Sequence, residues 1–227
     1  KHNWLVKDIN LLAETIHKAF HVANSGRPGP VLVDIPKDVQ FQKGNYKSAK
    51  EVVVETYKPK VKAELTDIEK AVEMIVKSKK PVIYSGGGVI NAGTKASDAL
   101  TEFTRVTNFP ITSTLQGLGA FPGSDPQFLG MLGMHGTYEA NNAMHECDLM
   151  INVGARFDDR ITGRVDAFSP NSKKIHIDID PSSINKIVKV DVAIVGDCLS
   201  VLSDMLTTLK NKNSDLSLIH ISEPTRL

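Results

Sequence analysis

Five charged side chains crowd into the stretch GARFDDRITGR, residues 154–164: Arg156, Asp158, Asp159, Arg160 and Arg164. They follow directly on the apolar run Leu149–Val153, which reads as a buried strand. An ordinary surface turn draws on Ser, Asn, Pro and Lys instead. A guanidinium group at the end of a strand can grip a diphosphate through two parallel hydrogen bonds, and Arg156 is the candidate for that task. Phe157 can pack on a ring or on the core. Asp158 and Asp159 can bind hydroxyls or hold the arginines, and Arg160 is left facing outward. A structural cluster of ion pairs is the competing reading.

Other strand ends carry the same kind of residue. PVIYS, from Pro81, runs into Gly86, Gly87 and Gly88, where the missing Cβ atoms let backbone N–H groups approach a phosphate ahead of a helix expected near Thr94; a tight turn would need the same glycines. The spacing is not G-x-G-x-x-G, and no acidic residue ends a second strand twenty residues on, so the common NAD fingerprint is absent. FPITSTL ends near Thr114, with a hydroxyl, and Leu115, with a backbone amide. LGMLGMHG then offers Gly133, Met134, His135 and Gly136 just before a helix; His135 reads either as an exposed loop histidine or as a ligand contact. KIHIDID ends in Asp178 and Asp180. Asp178 suits ribose hydroxyls or an adenine amino group, whereas Asp180, before Pro181, suits a helix cap. VAIVGD ends at Asp197. In an open parallel sheet ligands lie beyond the carboxyl ends of the strands, so several such endings on one edge describe a groove for an extended, phosphate-bearing ligand.

The elements that carry these ends alternate. From Leu65 onward the chain reads helix, strand, helix, strand through to a closing helix over CLSVLSDMLTTLKN, which is the pattern of a parallel sheet with helices on both faces. Five strands are expected, a sixth is left open, and no internal repeat is present. Thr66 with Glu69 three positions later reads as a capping box. Ahead of this unit, Ile9, Leu12, Ile16, Ala19, Phe20 and Ala23 recur at helical spacing until Gly26, and Val31–Val33 follows as a short strand. These pieces cannot close a core and read as the end of a preceding α/β domain, residues 1–41. Residues 42–63 are lysine-rich and read as a linker with an extended piece at Val52–Val54.

Composition narrows the partners. The 227 residues carry a formal net charge of +1, are 41% hydrophobic and 23% charged, and thus present no field for nucleic acid or an anionic membrane. No apolar run is long enough to span a bilayer. Two cysteines, Cys147 and Cys198, without any Cys/His ligand spacing, fit a reduced, cytoplasmic setting and no metal site. Because Lys1 is not an initiating methionine, the natural N-terminus is expected to lie upstream, and a plastid-targeting segment there would not be seen.

Together, GRPGPVLVDIPKDVQ, MLGMHGTYEAN, GARFDDRITGR and HIDIDPSSINK resemble the catalytic large subunit of acetolactate synthase, from Lys1 to about Leu209. The resemblance implies a Rossmann-like central domain, residues 64–210, binding FAD as a structural group. The residues it designates are Arg27, Gly87, Thr114, Leu115, Leu132, Gly133, Met134, His135, Gly154, Ala155, Arg156, Phe157, Asp158, Asp178, Ile179, Asp197 and Cys198. Arg160 would meet the second substrate's carboxylate, Asp159 would hold it, and Met134 and His135 would line the same channel. The implied reaction joins pyruvate to a second 2-oxo acid, pyruvate or 2-oxobutyrate, with loss of CO₂, on the way to branched-chain amino acids. It uses thiamine diphosphate and Mg²⁺, which the family holds in domains outside this stretch, so this chain alone is expected to be inactive. Dimers or tetramers and a regulatory small subunit are the implied partners. A glyoxylate carboligase or pyruvate oxidase type of thiamine diphosphate enzyme, or a stand-alone nucleotide-binding module, are the alternatives. Residues 211–227 form a tail, in which LSLIHISEPTRL, from Leu216, resembles a translated sequencing-library adapter and is expected to be an artefact.

Overall fold

A computed structural model describes residues 1–46, 48, 54, 55 and 57–212. The extended piece expected at Val52–Val54 falls mostly outside the described residues, and the tail 213–227, with the adapter-like segment, wholly so. The chain divides into two compact units, Lys1–Pro59 and Lys60 onward.

The first unit is a βαβ arrangement. Strand β1 (His2–Leu5), which the sequence reading did not anticipate, pairs in parallel with β2 (Val31–Asp34). Helix α1 (Leu12–Asn24) connects them, with Ala19 and Val22 buried, while Phe20, expected on the apolar stripe, is 67% exposed. The chain leaves α1 through Gly26 at φ 57°, where a Cβ would lie 2.6 Å from the Tyr57 hydroxyl. A short helix α2 (Lys37–Gln40) follows.

In the second unit, six parallel strands form one sheet: β3 (Pro81–Ser85), β4 (Ile111–Ser113), β5 (Phe128–Met131), β6 (Leu149–Val153), β7 (Lys173–Asp178) and β8 (Val192–Val195). Their order is β5-β4-β3-β6-β7-β8. The chain builds outward from β3 on one side, then returns to β3 and builds outward on the other. This is the doubly wound Rossmann order, and its switch point lies between β3 and β6. The sixth strand, left open by the sequence, is β5 at the edge.

Both faces of the sheet are covered, so β3 and β6 are buried along their whole length. One face packs Ile83, Ile111, Ile151, Val153, Ile175, Ile177 and Ile194 against helices α3 (Leu65–Lys77), α5 (Thr94–Thr107) and α8 (Cys198–Lys212). On α8, Val201, Leu202, Met205, Leu206 and Leu209 form the buried stripe, at the spacing a helix requires. The other face packs Val82, Tyr84 and Met150 against Leu132, Phe157, Phe168 and helix α6 (Tyr138–Glu146) through Ala140 and Met144. Each fully buried aliphatic side chain of this kind contributes about 1.5–3 kcal/mol relative to exposure.

Two boundaries differ from expectation. Helix α3 begins at Leu65 because the Glu64 carbonyl accepts from the N–H groups of Asp67 and Ile68 (3.1 and 3.3 Å), so Thr66 lies inside the first turn and is not the N-cap. The helix after the triple glycine starts at once, as α4 (Gly87–Ala92), and only then does Gly93, at φ 92°, break the chain ahead of α5. The short helix expected over PSSINKI is a single 3₁₀ turn, Pro181–Ser183, capped as expected by Asp180, which accepts from Ser182 N–H at 3.0 Å.

Candidate functional site

Three loops meet at the switch point. Gly86 N–H donates to Val153 O and Gly88 N–H to Gly154 O, both at 2.9 Å. A Cβ at Gly86 would stand 2.4 Å from Gly154 O, and one at Gly88 2.7 Å from Gly154 Cα. One at Gly117, in the loop after β4, would stand 2.6 Å from Ser85 O. The glycines are thus explained by backbone packing against backbone. The expectation that they open the chain to a phosphate is corrected for Gly86 and Gly88, whose N–H groups are engaged within the protein. Gly87, half-buried, faces Gln116 of the β4 loop.

The GARFDDRITGR segment crosses this junction. Gly154 turns at φ 64° and lies against Gly88 and the thiol of Cys198. Its N–H donates to Ile177 O at 2.8 Å, which ties it to β7. Ala155 is buried, and so is Phe157, packed edge-on to Phe168 and His176 with centroids 5.8 and 5.2 Å away. Of the two roles open to Phe157, the core is the one the structure shows. Arg156 between them is exposed, and its Nη2 lies 3.4 Å from Asp158 Oδ2. Asp158 also caps the short helix α7 (Asp159–Thr162), accepting from Arg160 N–H at 3.3 Å. Its carboxyl is held below the usual range, chiefly by the hydrogen bond with the Asp159 side chain, then by that from Arg160 N–H, with the Arg156 and Arg160 charges adding. Asp159 and Arg160 are exposed, as expected of Arg160.

The remaining strand ends fall around the same rim. The Thr114 hydroxyl accepts from Gly117 N–H at 3.0 Å, and Leu115 beside it is 67% exposed. Leu132 is buried, Gly133 takes φ 98° against Arg160 O, and Met134 N–H donates to that carbonyl at 2.9 Å. This contact brings the MLGMHG and RFDDR loops together and leaves the side chains of Met134 and His135 exposed beside Arg160. Asp178 is buried and accepts from Asp180 N–H at 2.8 Å, with half-buried Ile179 between them. Asp197 caps α8, accepting from Leu199 and Ser200 N–H at 3.0 and 3.3 Å. Cys198 is buried and its thiol is pushed up to about 12, chiefly by burial, then by the charges of Asp197 and Asp178. Arg27 is exposed in the first unit.

The sequence of this unit has a match. Residues 68–205 fit the family model described as thiamine pyrophosphate enzyme, central domain. The chain belongs to that family. It is 47% identical over 214 residues to the acetolactate synthase large subunit of Haemophilus influenzae, covering 93% of this chain and 37% of that protein. It is 44% identical to the acetolactate synthase isozyme 3 large subunit of Escherichia coli, with 98% and 39% covered. To the probable acetolactate synthase large subunit of Methanocaldococcus jannaschii it is 46% identical, with 92% and 36% covered. The chain therefore spans a little over a third of the length of these relatives. Their similarity extends across the segments that carry the resemblance in the sequence. Among the described residues, no helix is long and apolar enough to cross a membrane.

As a central domain of this family, the second unit also contains polar groups that the sequence reading passed over. Tyr84, Asn152 and His176 are fully buried on adjacent strands beneath the RFDDR loop. The sequence does hold a signal for two of them: Asn152 and His176 each interrupt an apolar strand shortly before its final glycine or aspartate.

Proposed function

We propose that this chain is the central portion of an acetolactate synthase large subunit and that its rim binds FAD. The observation that carries the reading is the position of the Arg156 loop at the switch point of a 3-2-1-4-5-6 sheet, where dinucleotides bind in folds of this order. The donor set fits such a ligand. Arg156 offers an exposed guanidinium for the diphosphate. Gly87, Thr114 and Leu115 form one bank, and Gly154, Ala155, Phe157 and Asp158 another; Leu132, Gly133, Met134 and His135 lie beside the second. Asp178, Ile179, Asp197 and Cys198 close the far end. Arg27, which the resemblance also designates, belongs to the first unit. FAD would serve there as a structural group.

In the longer protein, the joining of pyruvate to a second 2-oxo acid would be supplied by thiamine diphosphate with Mg²⁺. The task of this chain's own residues would be to shape the approach. Arg160 would receive the carboxylate of the second 2-oxo acid, Asp159 would hold it, and Met134 and His135 would flank it. Homodimers or tetramers and a regulatory small subunit belong to the same proposal, as do residues 1–41 as the end of a pyrimidine-binding domain.

The test is a titration of the purified 227-residue chain with FAD, followed by quenching of flavin fluorescence. Saturable one-to-one binding, weakened about tenfold or more by Arg156→Ala, is expected from the loss of a charge-assisted hydrogen bond. A chain that folds and leaves the flavin signal unchanged overturns the reading. With pyruvate, thiamine diphosphate and Mg²⁺ added, no acetolactate is expected from this chain alone.

A further inference from the structure

Beneath the exposed Arg156 lies a row of buried polar side chains that the binding surface does not use directly. Tyr84 on β3 is the register partner of Asn152 on β6, and Asn152 is the partner of His176 on β7. All three are 0% exposed and converge on two consecutive residues. Asn152 clamps Ala155 from both sides: its Nδ2 donates to Ala155 O at 2.9 Å and its Oδ1 accepts from Ala155 N–H at 3.1 Å. His176 Nε2 lies 2.9 Å from the same carbonyl. A carbonyl only accepts, so Nε2 carries the proton. The Tyr84 hydroxyl donates to Arg156 O over a longer 3.4 Å.

The other imidazole nitrogen, Nδ1, is buried with no hydrogen-bond partner among the described residues. An aliphatic side chain would fill this place without an orphaned polar atom. What the imidazole adds is an Nε2–H that bonds to Ala155 O and lies 3.7 Å from Asp178 Oδ2. The neighbours of His176 on its strand, Ile175 and Ile177, face the opposite side of the sheet and are apolar, so the polarity is specific to the side under the loop. Three strands thus deliver three donors to the backbone on either side of one peptide link, directly before the guanidinium.

We propose that Tyr84, Asn152 and His176 are positioning residues for Arg156. They fix the backbone of Ala155 and Arg156 so that the guanidinium leaves the rim in a single direction, ready for an anionic ligand, and binding need not order the loop. This rests on the reading of Arg156 as a diphosphate-binding group. His176 is predicted to act through Arg156 and not on the ligand.

Two measurements on the whole chain test this. The first is hydrogen–deuterium exchange over residues 154–158 without ligand. His176→Leu is expected to accelerate exchange there, His176→Gln, whose amide nitrogen can replace Nε2, to stay near wild type, and the mild Tyr84→Phe to accelerate exchange slightly. The second is FAD affinity in a double-mutant cycle. His176→Leu is expected to weaken binding roughly tenfold, the Gln variant less than threefold, and neither to add to the loss already caused by Arg156→Ala. An equal loss in both Arg156 and Arg156→Ala backgrounds would mean a general structural role and overturn the proposal, as would unchanged exchange in both His176→Leu and Tyr84→Phe. Should the wild-type chain not bind FAD, the functional reading falls. The exchange data then still decide whether these side chains hold the loop.

Discussion

Gly86→Ala is the sharpest test of the switch-point architecture. An ideal Cβ at residue 86 would stand 2.4 Å from Gly154 O, 2.5 Å from Ala155 Cα and 2.6 Å from Ala155 Cβ. Comfortable separations are roughly 3.5–4 Å between carbons, so three contacts are short by about 1 Å at once. Two of the three atoms are backbone, and the segments are tied by the Gly86–Val153 and Gly88–Gly154 hydrogen bonds at 2.9 Å, so no flexible side-chain end can yield. Adding a methyl group to a closed site costs about 1–3 kcal/mol, and sometimes more. The rigidity here places the cost at about 3 kcal/mol. At roughly 2–4 °C per kcal/mol for a chain of this size, the Tm should fall by about 6–12 °C. Gly123→Ala is the control: nothing lies within 4 Å of its Cβ position, and its φ is not in the left-handed region. That change should leave the chain unaltered or stabilise it by up to ~1 kcal/mol through the unfolded state. Thermal and urea unfolding followed by circular dichroism at 222 nm measure both. A Gly86→Ala chain melting within about 2 °C of wild type, or a Gly123→Ala chain falling as far as Gly86→Ala, would refute the argument that the loops are interlocked through absent side chains.

Three further outcomes follow from the titrating groups. Cys147 and Cys198 are buried and burial raises both thiols, so a disulfide-exchange reagent at pH 8 should modify neither in the native chain and both in urea; rapid native labelling of Cys198 would contradict its place under Gly154. With its ordinary value of 9.0 raised to about 12, the Cys198 thiol stays protonated in the fold after it ionises in the unfolded chain. This thiol should therefore leave stability unaffected below about pH 9 and lower it at up to ~1.4 kcal/mol per pH unit above, with the buried Tyr84 phenol, also raised, acting in the same direction. A Cys198→Ala chain should lack the thiol's share of that alkaline loss. Asp158 has the opposite sign: its lowered pKa contributes stability that is present above its unfolded value and lost as pH falls through the folded one. Asp158→Asn keeps a good helix cap but removes the charge, so its small stability deficit at pH 7 should shrink as pH falls below the ordinary carboxyl value of 3.8; a deficit constant with pH would contradict the lowering of this carboxyl by its hydrogen bonds and the nearby arginines.

The alternation of short Val- and Ile-rich segments with helical periods is enough to read the parallel sheet and five of its strands, because β3, β6 and β7 are buried on both faces. The edge strand β5 was not legible: Phe128–Met131 is four residues long, half-buried throughout, and broken by Gly130 at φ 89°. Helix α4 is not legible in the sequence because glycine is among the poorest helix formers; here the approach of the β6 loop excludes side chains at 86 and 88, a tertiary demand that local propensity does not contain. Thr66 and Glu69 have the spacing of a capping box, yet the Glu64 carbonyl takes the first helical bonds, and spacing alone does not choose between starts two residues apart. The rim was better marked. In the sequence Arg156, Asp158, Thr114 and Leu115 follow strands and Met134 and His135 stand just before a helix, and the structure brings them to one edge. What the sequence did not distinguish was which rim residues face solvent and which hold the loops, since Asp178, Asp180 and Asp197 look alike in a string of letters but each engages backbone N–H groups nearby.

That division of labour accounts for the charge density of GARFDDRITGR. A guanidinium on an unsupported loop would be mobile, and much of what it gained on meeting an anion would be offset by ordering the backbone, at about 1–2 kcal/mol per residue fixed. In this chain the ordering is already present. Gly154 is wedged against Gly88, Ala155 is held by Asn152 and His176, Phe157 is anchored in the core, and Asp158 starts a helical turn. Gly154, Ala155, Phe157 and Asp158 therefore fix the loop to the protein, while Arg156, Asp159 and Arg160 remain outside. The arginines and aspartates stand next to one another because anchorage takes Gly154, Ala155 and Phe157, and the exposed charges beside them need their neighbours to be neutralised until a ligand arrives. Asp158 is the residue that joins the two tasks: it caps the turn through one oxygen and holds Arg156 through the other. A ligand that takes Arg156 from Asp158 thus leaves the helix cap intact, so the loop can exchange an internal ion pair for an external one without losing its shape.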